Sequence, residues 1–218
     1  MKPRIKICCI SSKKEAKMAI DFGASAIGLV GKMPSGPGPI EDHRIKEIAS
    51  YVPPPIATFL LTSEISSEGI LNHYRRTQTN TIQIVDKPDD GVHKYLKKEL
   101  PHVKRVQVIH VTDESSLDEA LLYADKADAL LLDSGNPNLK VKELGGTGRT
   151  HNWEVSRKIV DQSPIPVFLA GGLNDDNVKE ALDIVQPFGL DICSGVRTDG
   201  QLDQQKLEAF MNSTLNKF

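Results

Sequence analysis

Apolar and polar positions along the chain follow two alternating rhythms. Short runs rich in β-branched and aliphatic residues, the pattern of buried strands, occur at 4–10 (RIKICCI), 26–31 (AIGLVG), 55–62 (PIATFLLT) and 81–86 (TIQIVD). Four more follow at 103–111 (VKRVQVIHV), 127–134 (ADALLLDS), 165–172 (IPVFLAGG) and 190–195 (LDICSG). Between and after them lie segments whose apolar residues recur every three or four positions, the spacing of an amphipathic helix. These cover 11–24, 41–52, 67–77, 91–100, 116–126, 152–163, 174–186 and 201–218. Ser12 and Glu15 have the spacing of a capping box, Gly23 suits the exit of the first helix, and Asn174 is placed to cap the seventh.

Strands separated by helices require parallel crossovers, which are almost always right-handed. Eight such units predict an α/β fold, a (β/α)8 TIM barrel, as one domain over 1–218. An open doubly wound sheet is the alternative, but it usually carries a glycine-rich turn after its first strand, and that turn here reads CCISS. The least element-like piece, GKMPSGPGPI at 31–40, is a loop after the second strand. In a barrel that places it on the face where reactive groups gather.

Composition narrows the partners. The 218 residues carry a formal net charge of −2, which gives no reason to expect nucleic acid or a membrane surface. No apolar run has signal-peptide or transmembrane character. Three cysteines do not make a disulfide framework, so the sequence predicts a cytoplasmic protein with free thiols. The six histidines are scattered and neither CxxC nor HExxH occurs, so no metal site is expected. His151 and Trp153 read as loop and helix-start residues. Oligomeric state is not legible.

Three features carry chemistry. Glycine turns cluster late in the chain: GGTG (145–148) after the sixth strand, AGG (170–172) ending the seventh and CSG (193–195) ending the eighth. In barrels, loops after strands seven and eight frequently hold phosphate on backbone N–H groups. Asp133 follows four apolar residues and sits where a buried strand opens. Partial desolvation there would suit a general acid, against the commoner use of such an Asp as a helix cap. The third feature is the pair Cys8 and Cys9, which a strand would point to opposite faces. Cys8 shares parity with Lys6, and Cys9 with Ile5 and Ile7. A free thiol is usually a small core residue and acts as a base or nucleophile only where thiolate is favoured.

Together these segments resemble a known family. KICCIS is similar to the KICGIT opening of phosphoribosylanthranilate isomerases, barrel enzymes of tryptophan biosynthesis. LLLDS, GGTGRTHNW, FLAGGLNDDNV and LDICSGVRTDG are similar to the family's later motifs, in the same order. The resemblance implies an isomerase that converts a small phosphorylated aminosugar by Amadori rearrangement, with no cofactor and no metal. It implies that Cys8 is the general base and Asp133 the general acid. It places phosphate on Gly171, Gly172, Ser194 and Gly195 with Gly146 nearby, and sugar hydroxyls on Asp191. It also implies that Cys9 occupies a position where the family usually has glycine, with its side chain expected in the barrel–helix layer.

Two departures stand out. The family usually carries a Ser-Pro-Arg segment in the loop after strand two, whose arginine pairs with the anthranilate carboxylate. Here the only cation of that loop, and so the candidate contact for that carboxylate, is Lys32, a point charge without the bidentate fork. A family-like QLHG in strand four is replaced by QIVD, which keeps Gln83 and loses the histidine. The resemblance therefore leaves open a paralogue that acts on another phosphorylated sugar, or that only binds one.

Overall fold

A computed structural model describes residues 3–215. Eight parallel strands close into a barrel in sequence order: β1 (Arg4–Ile7), β2 (Ala26–Val30), β3 (Ala57–Thr62), β4 (Thr81–Ile84), β5 (Lys104–His110), β6 (Ala129–Asp133), β7 (Val167–Leu169) and β8 (Gly189–Ile192). The helices between and after them are α1 (Lys13–Asp21), α2 (Asp42–Tyr51), α3 (Ser67–Thr77), α4 (Val92–Glu99), α5 (Ser115–Ala124), α6 (Trp153–Gln162), α7 (Val178–Val185) and α8 (Gln204–Leu215). Each of the eight strand–helix units read from the sequence is present.

The strands are buried on both faces, which is why their residues run apolar rather than alternating. One face packs under the helices: Ile5, Ile7, Ile27, Leu29, Leu60, Leu130 and Leu132 belong to that layer. The other face fills the barrel with Ala26, Phe59, Val106, Val108, Leu131 and Phe168. Lys6 alternates with Ile5 and Ile7 and so points inward. It is fully buried there, with its Nζ 2.7 Å from Asp191 Oδ2 on the neighbouring strand, its register partner.

The capping box at α1 is displaced by one residue. Ser12 Oγ accepts from Glu15 N at 3.2 Å, but the Glu15 carboxylate accepts from Ser11 N at 2.8 Å. Its other oxygen accepts from Leu202 N and from Arg197 Nη1. This carboxylate thus ties the start of α1 to a small hairpin, β9 (Arg197–Thr198) and β10 (Gln201–Leu202), whose second strand lies within the span expected for the last helix. Asn174 does not cap α7 directly. Its side chain accepts from Asp176 N and Asn177 N in a preceding turn, and the helix begins at Val178. No helix among the described residues is long and apolar enough to cross a membrane.

Candidate active site

A cavity opens at the C-terminal ends of the strands. Cys8, Asp133, Gly146, Gly171, Gly172, Asp191 and Ser194, all named from the sequence, line this one hollow. Asp133 ends β6, and Cys8 directly follows β1. Around the ring they are separated by β7 and β8 on one side and by β2 to β5 on the other. Thiol and carboxylate therefore come from well-separated sectors of the wall.

Local packing fixes both groups. The Cys8 thiol and the Lys6 side chain lie over Gly28 of β2. A Cβ at Gly28 would stand 2.7 Å from Cys8 Sγ and 3.1 Å from Lys6 Cε. Burial alone would lower the Lys6 pKa, but the Asp191 carboxylate overrides it and holds the ammonium above its ordinary value. Arg197, itself buried, donates from Nη2 to the carbonyls of Cys8 (3.0 Å) and Cys9 (2.6 Å) and so pins the turn that presents the thiol. Asp133 accepts from Ser134 N at 2.7 Å. Its other oxygen lies where a side chain on Gly145 would collide, so the glycine loop lies directly against the carboxylate.

The glycine turns pack backbone to backbone. At Gly172 (φ +61°), a Cβ would meet the carbonyl carbon of Arg149 at 2.5 Å. Gly195 does not line the cavity; a side chain there would strike the Leu173 carbonyl, so its role is to seat the turn after β8 on the turn after β7. Ser194 begins a short 3₁₀ turn, Ser194–Val196, at that same rim.

Two expectations are corrected. Lys32 does not face the cavity. It is exposed and lines an outer groove with Glu41, Asp42, His73 and Arg76, while Met33, Ser35, Gly36 and Pro37 turn inward. The cavity lining therefore gives no support to Lys32 as a carboxylate contact. Cys9 does not enter the barrel–helix layer, because β1 ends at Ile7 and strand parity no longer applies beyond it. At φ +61° Cys9 takes the left-handed conformation that favours glycine, and its thiol turns back to the cavity rim. There Cys9 Sγ and Cys193 Sγ are 2.6 Å apart. Hydrogen bonds with Cys193 and Cys8, with burial added, push the Cys9 thiol up; the bond with Cys9 and the charge of Arg197 push the Cys193 thiol down.

The loop after β2 meets the long loop after β6 above the hollow. Ser35 Oγ donates to the Lys142 carbonyl at 2.6 Å, and Pro37 fills the space beside Gly146. Lys142 also reaches Asp86, beyond β4, with Nζ and Oδ2 2.5 Å apart. The wall below is mostly apolar, formed by Val30, Met33, Leu61, Val85 and Leu144, with Gln83 as its polar member. Gln83 Oε1 and Asp191 Oδ1 are buried acceptors without a partner among the described residues.

Residues 5–213 match the family model described as N-(5'-phosphoribosyl)anthranilate (PRA) isomerase. The chain belongs to the PRA isomerase family. It is 34% identical to N-(5'-phosphoribosyl)anthranilate isomerase 2 of Methanosarcina mazei, over 99% of this chain and 95% of that one. It is 31% identical to the N-(5'-phosphoribosyl)anthranilate isomerase of Methanocella arvoryzae, over 90% of each. Among solved structures it is similar to the isomerase of Pyrococcus furiosus, with a TM-score of 0.81, 27% identity and coverage of 98% and 99%. A PRA isomerase crystallised with reduced 1-(o-carboxyphenylamino)-1-deoxyribulose 5-phosphate matches with a TM-score of 0.78 and 25% identity, over 98% of this chain and 99% of that one. Against this PRA isomerase frame, sequence reasoning missed Arg197, Cys193 and the pairing of Lys6. Only Lys6 left a signal, a cation sharing strand parity with Cys8.

Proposed function

We propose that this protein catalyses the Amadori rearrangement of N-(5'-phosphoribosyl)anthranilate to 1-(2-carboxyphenylamino)-1-deoxyribulose 5-phosphate. The observation that carries the reading is that Cys8 and Asp133 face one cavity whose rim is built from the turns after β6, β7 and β8. Asp133 acts as the general acid. It gives a proton to the furanose ring oxygen, the C1–O bond breaks, and the anilino nitrogen lone pair closes a Schiff base. Cys8 acts as the general base. It takes the C2 proton, leaving an enolamine that ketonises to the product. An acid and a base on separate walls suit these two transfers, which occur at different atoms of one substrate.

The phosphate is held by backbone N–H groups at Gly171–Gly172 and at Ser194, with Gly146 beside them, where glycines let an anion approach the chain. Asp191 takes the sugar hydroxyls on its free oxygen. Gln83 offers its unpartnered oxygen to the anilino N–H, and the apolar wall receives the ring. Among the described residues, no side-chain cation lines the cavity to meet the carboxylate of the ring. Its recognition therefore rests on the Gln83 amide and on the rim rather than on an arginine fork.

The test is direct. The substrate is generated in situ and its fluorescence decay followed with the wild-type protein, Cys8→Ser and Asp133→Asn. Wild-type turnover with at least a hundredfold loss in each variant is expected. A wild-type protein that binds a phosphorylated product analogue without turnover would overturn the reading.

A further inference from the structure

Two of the three cysteines take no part in the proton transfers above. Cys9 follows Cys8 at the end of β1, and Cys193 follows β8. These strands are hydrogen-bonded neighbours whose register runs out at Ile7 and Ile192. The next residues on each chain are therefore brought together, although 184 positions separate Cys9 from Cys193. The left-handed backbone of Cys9 turns its side chain toward Cys193, and their sulfurs lie 2.6 Å apart. The two sulfurs are in direct contact, so side-chain adjustment alone can bring them to disulfide geometry. Both sulfurs belong to residues lining the open cavity, so a small oxidant has a route to them.

We propose that Cys9 and Cys193 are a reversible dithiol–disulfide pair at the rim of the cavity, with Cys8 left as the free thiol. The oxidant is a hydroperoxide. The Cys193 thiolate attacks the distal peroxide oxygen and takes it with its hydrogen as a sulfenic acid; the O–O bond breaks, and the departing alkoxide, or hydroxide when the peroxide is hydrogen peroxide, takes a proton from solvent to leave as an alcohol or water. The Cys9 sulfur then attacks the Cys193 sulfur. The S–O bond breaks, the S–S bond forms, and the Cys9 proton leaves with the hydroxyl as water. Two electrons have passed from the thiols to the peroxide. An external dithiol reverses the reaction by exchange, regaining both protonated thiols.

The order follows from the surroundings. Cys193 is the sulfur with more thiolate character, favoured first by its hydrogen bond with Cys9 and then by the Arg197 charge, whereas the same bond pushes the Cys9 thiol up. Geometry also selects against the competing pair. Cys8 and Cys9 are consecutive, and consecutive Cα atoms lie about 3.8 Å apart across a trans peptide, below the roughly 4.4 Å minimum usual for a disulfide. The bond would join the turn presenting Cys8 to the turn that begins at Ser194.

The test does not depend on the isomerase reading. The fully reduced protein is treated with a small molar excess of hydrogen peroxide, denatured, and its remaining thiols titrated; a non-reduced digest is mapped by mass spectrometry. The titre should fall from three to one, with loss of the mass of two hydrogens, one cross-linked peptide pair joining Cys9 to Cys193, and full recovery on adding dithiothreitol. Cys9→Gly, which suits the left-handed backbone, should stop at a sulfenic acid on Cys193 that dimedone traps. A titre that stays at three, a Cys8–Cys9 cross-link, or oxidation confined to Cys8 would each overturn the proposal.

Discussion

Lys6 and Asp191 form an ion pair sealed inside the barrel, Nζ to Oδ2 2.7 Å, with the lysine fully buried and the other aspartate oxygen left without a partner. Attraction and desolvation nearly cancel for such pairs, but removal of one member strands the other. Lys6→Met should therefore lower stability by about 3–5 kcal/mol. Adding Asp191→Leu to that variant should recover much of the loss, because both charges are then gone. Urea denaturation of the two variants checks this; equal stability of the single and double variants would show that the stranded carboxylate carries no penalty.

Gly28 is a packing requirement of the thiol rather than a turn residue. A methyl group there would stand 2.7 Å from Cys8 Sγ and press on the Lys6 stem. Overpacking of this kind costs about 1–3 kcal/mol. Gly28→Ala should cost about that much and should lower kcat by more than tenfold, because the displaced atom is the proposed base. Phosphate affinity, set by the turns after β7 and β8 rather than by β2, should stay within about twofold, as measured by inhibition with inorganic phosphate. A variant with wild-type kcat would remove Cys8 from the base role or show that the thiol relocates without consequence.

Arg197 holds three separate pieces together: the Cys8 and Cys9 carbonyls, the Glu15 carboxylate and the Gly200 carbonyl. Its guanidinium fork is what allows this. Lysine, with a single ammonium, cannot reproduce the geometry. Arg197→Lys should keep the charge opposite Glu15 but release the Cys8–Cys9 turn. The expected result is a fold retained at a cost of about 2–4 kcal/mol, with a larger fall in kcat than in KM affinity. A variant whose kinetics match wild type would make Arg197 a structural residue alone.

The barrel was legible because short apolar runs, such as ATFLLT of β3, alternate with amphipathic segments, such as α7. Cys8, Asp133 and the glycine turns were legible as strand-end residues, and the structure gathers them at one mouth. What stayed hidden depends on where elements stop. Parity was extended through Cys9, but the strand ends two residues earlier, and the left-handed turn sends the thiol to the rim. Lys32 read as the loop's carboxylate partner because charge is visible in sequence while the direction of a Pro/Gly loop is not. The Lys6–Asp191 and Arg197–Glu15 pairs join residues 185 and 182 positions apart, and no local pattern announces contacts of that kind.

His151 makes stability depend on pH in the mildly acidic range. Its Nε2 meets Ser156 Oγ at 2.7 Å, while Nδ1 is buried without a partner beside Gly171. Burial holds its pKa down to about 4, against a weaker upward pull from the Asp133 charge. Folding thus prefers the neutral ring. The contribution is fully present above the unfolded value of about 6.5 and is lost as pH falls toward the folded value of about 4. Between these limits the unfolded chain binds the proton that the folded chain refuses, so stability should drop with a slope approaching 1.4 kcal/mol per pH unit from this group, as an order of magnitude. His73 and His93, also held low by burial, act in the same sense. His151→Gln should accordingly remove only part of the slope. Urea midpoints at pH 7, 6 and 5 measure it, and a variant whose midpoints fall in parallel with wild type would mean that His151 takes up its proton in the folded protein as easily as in the unfolded chain.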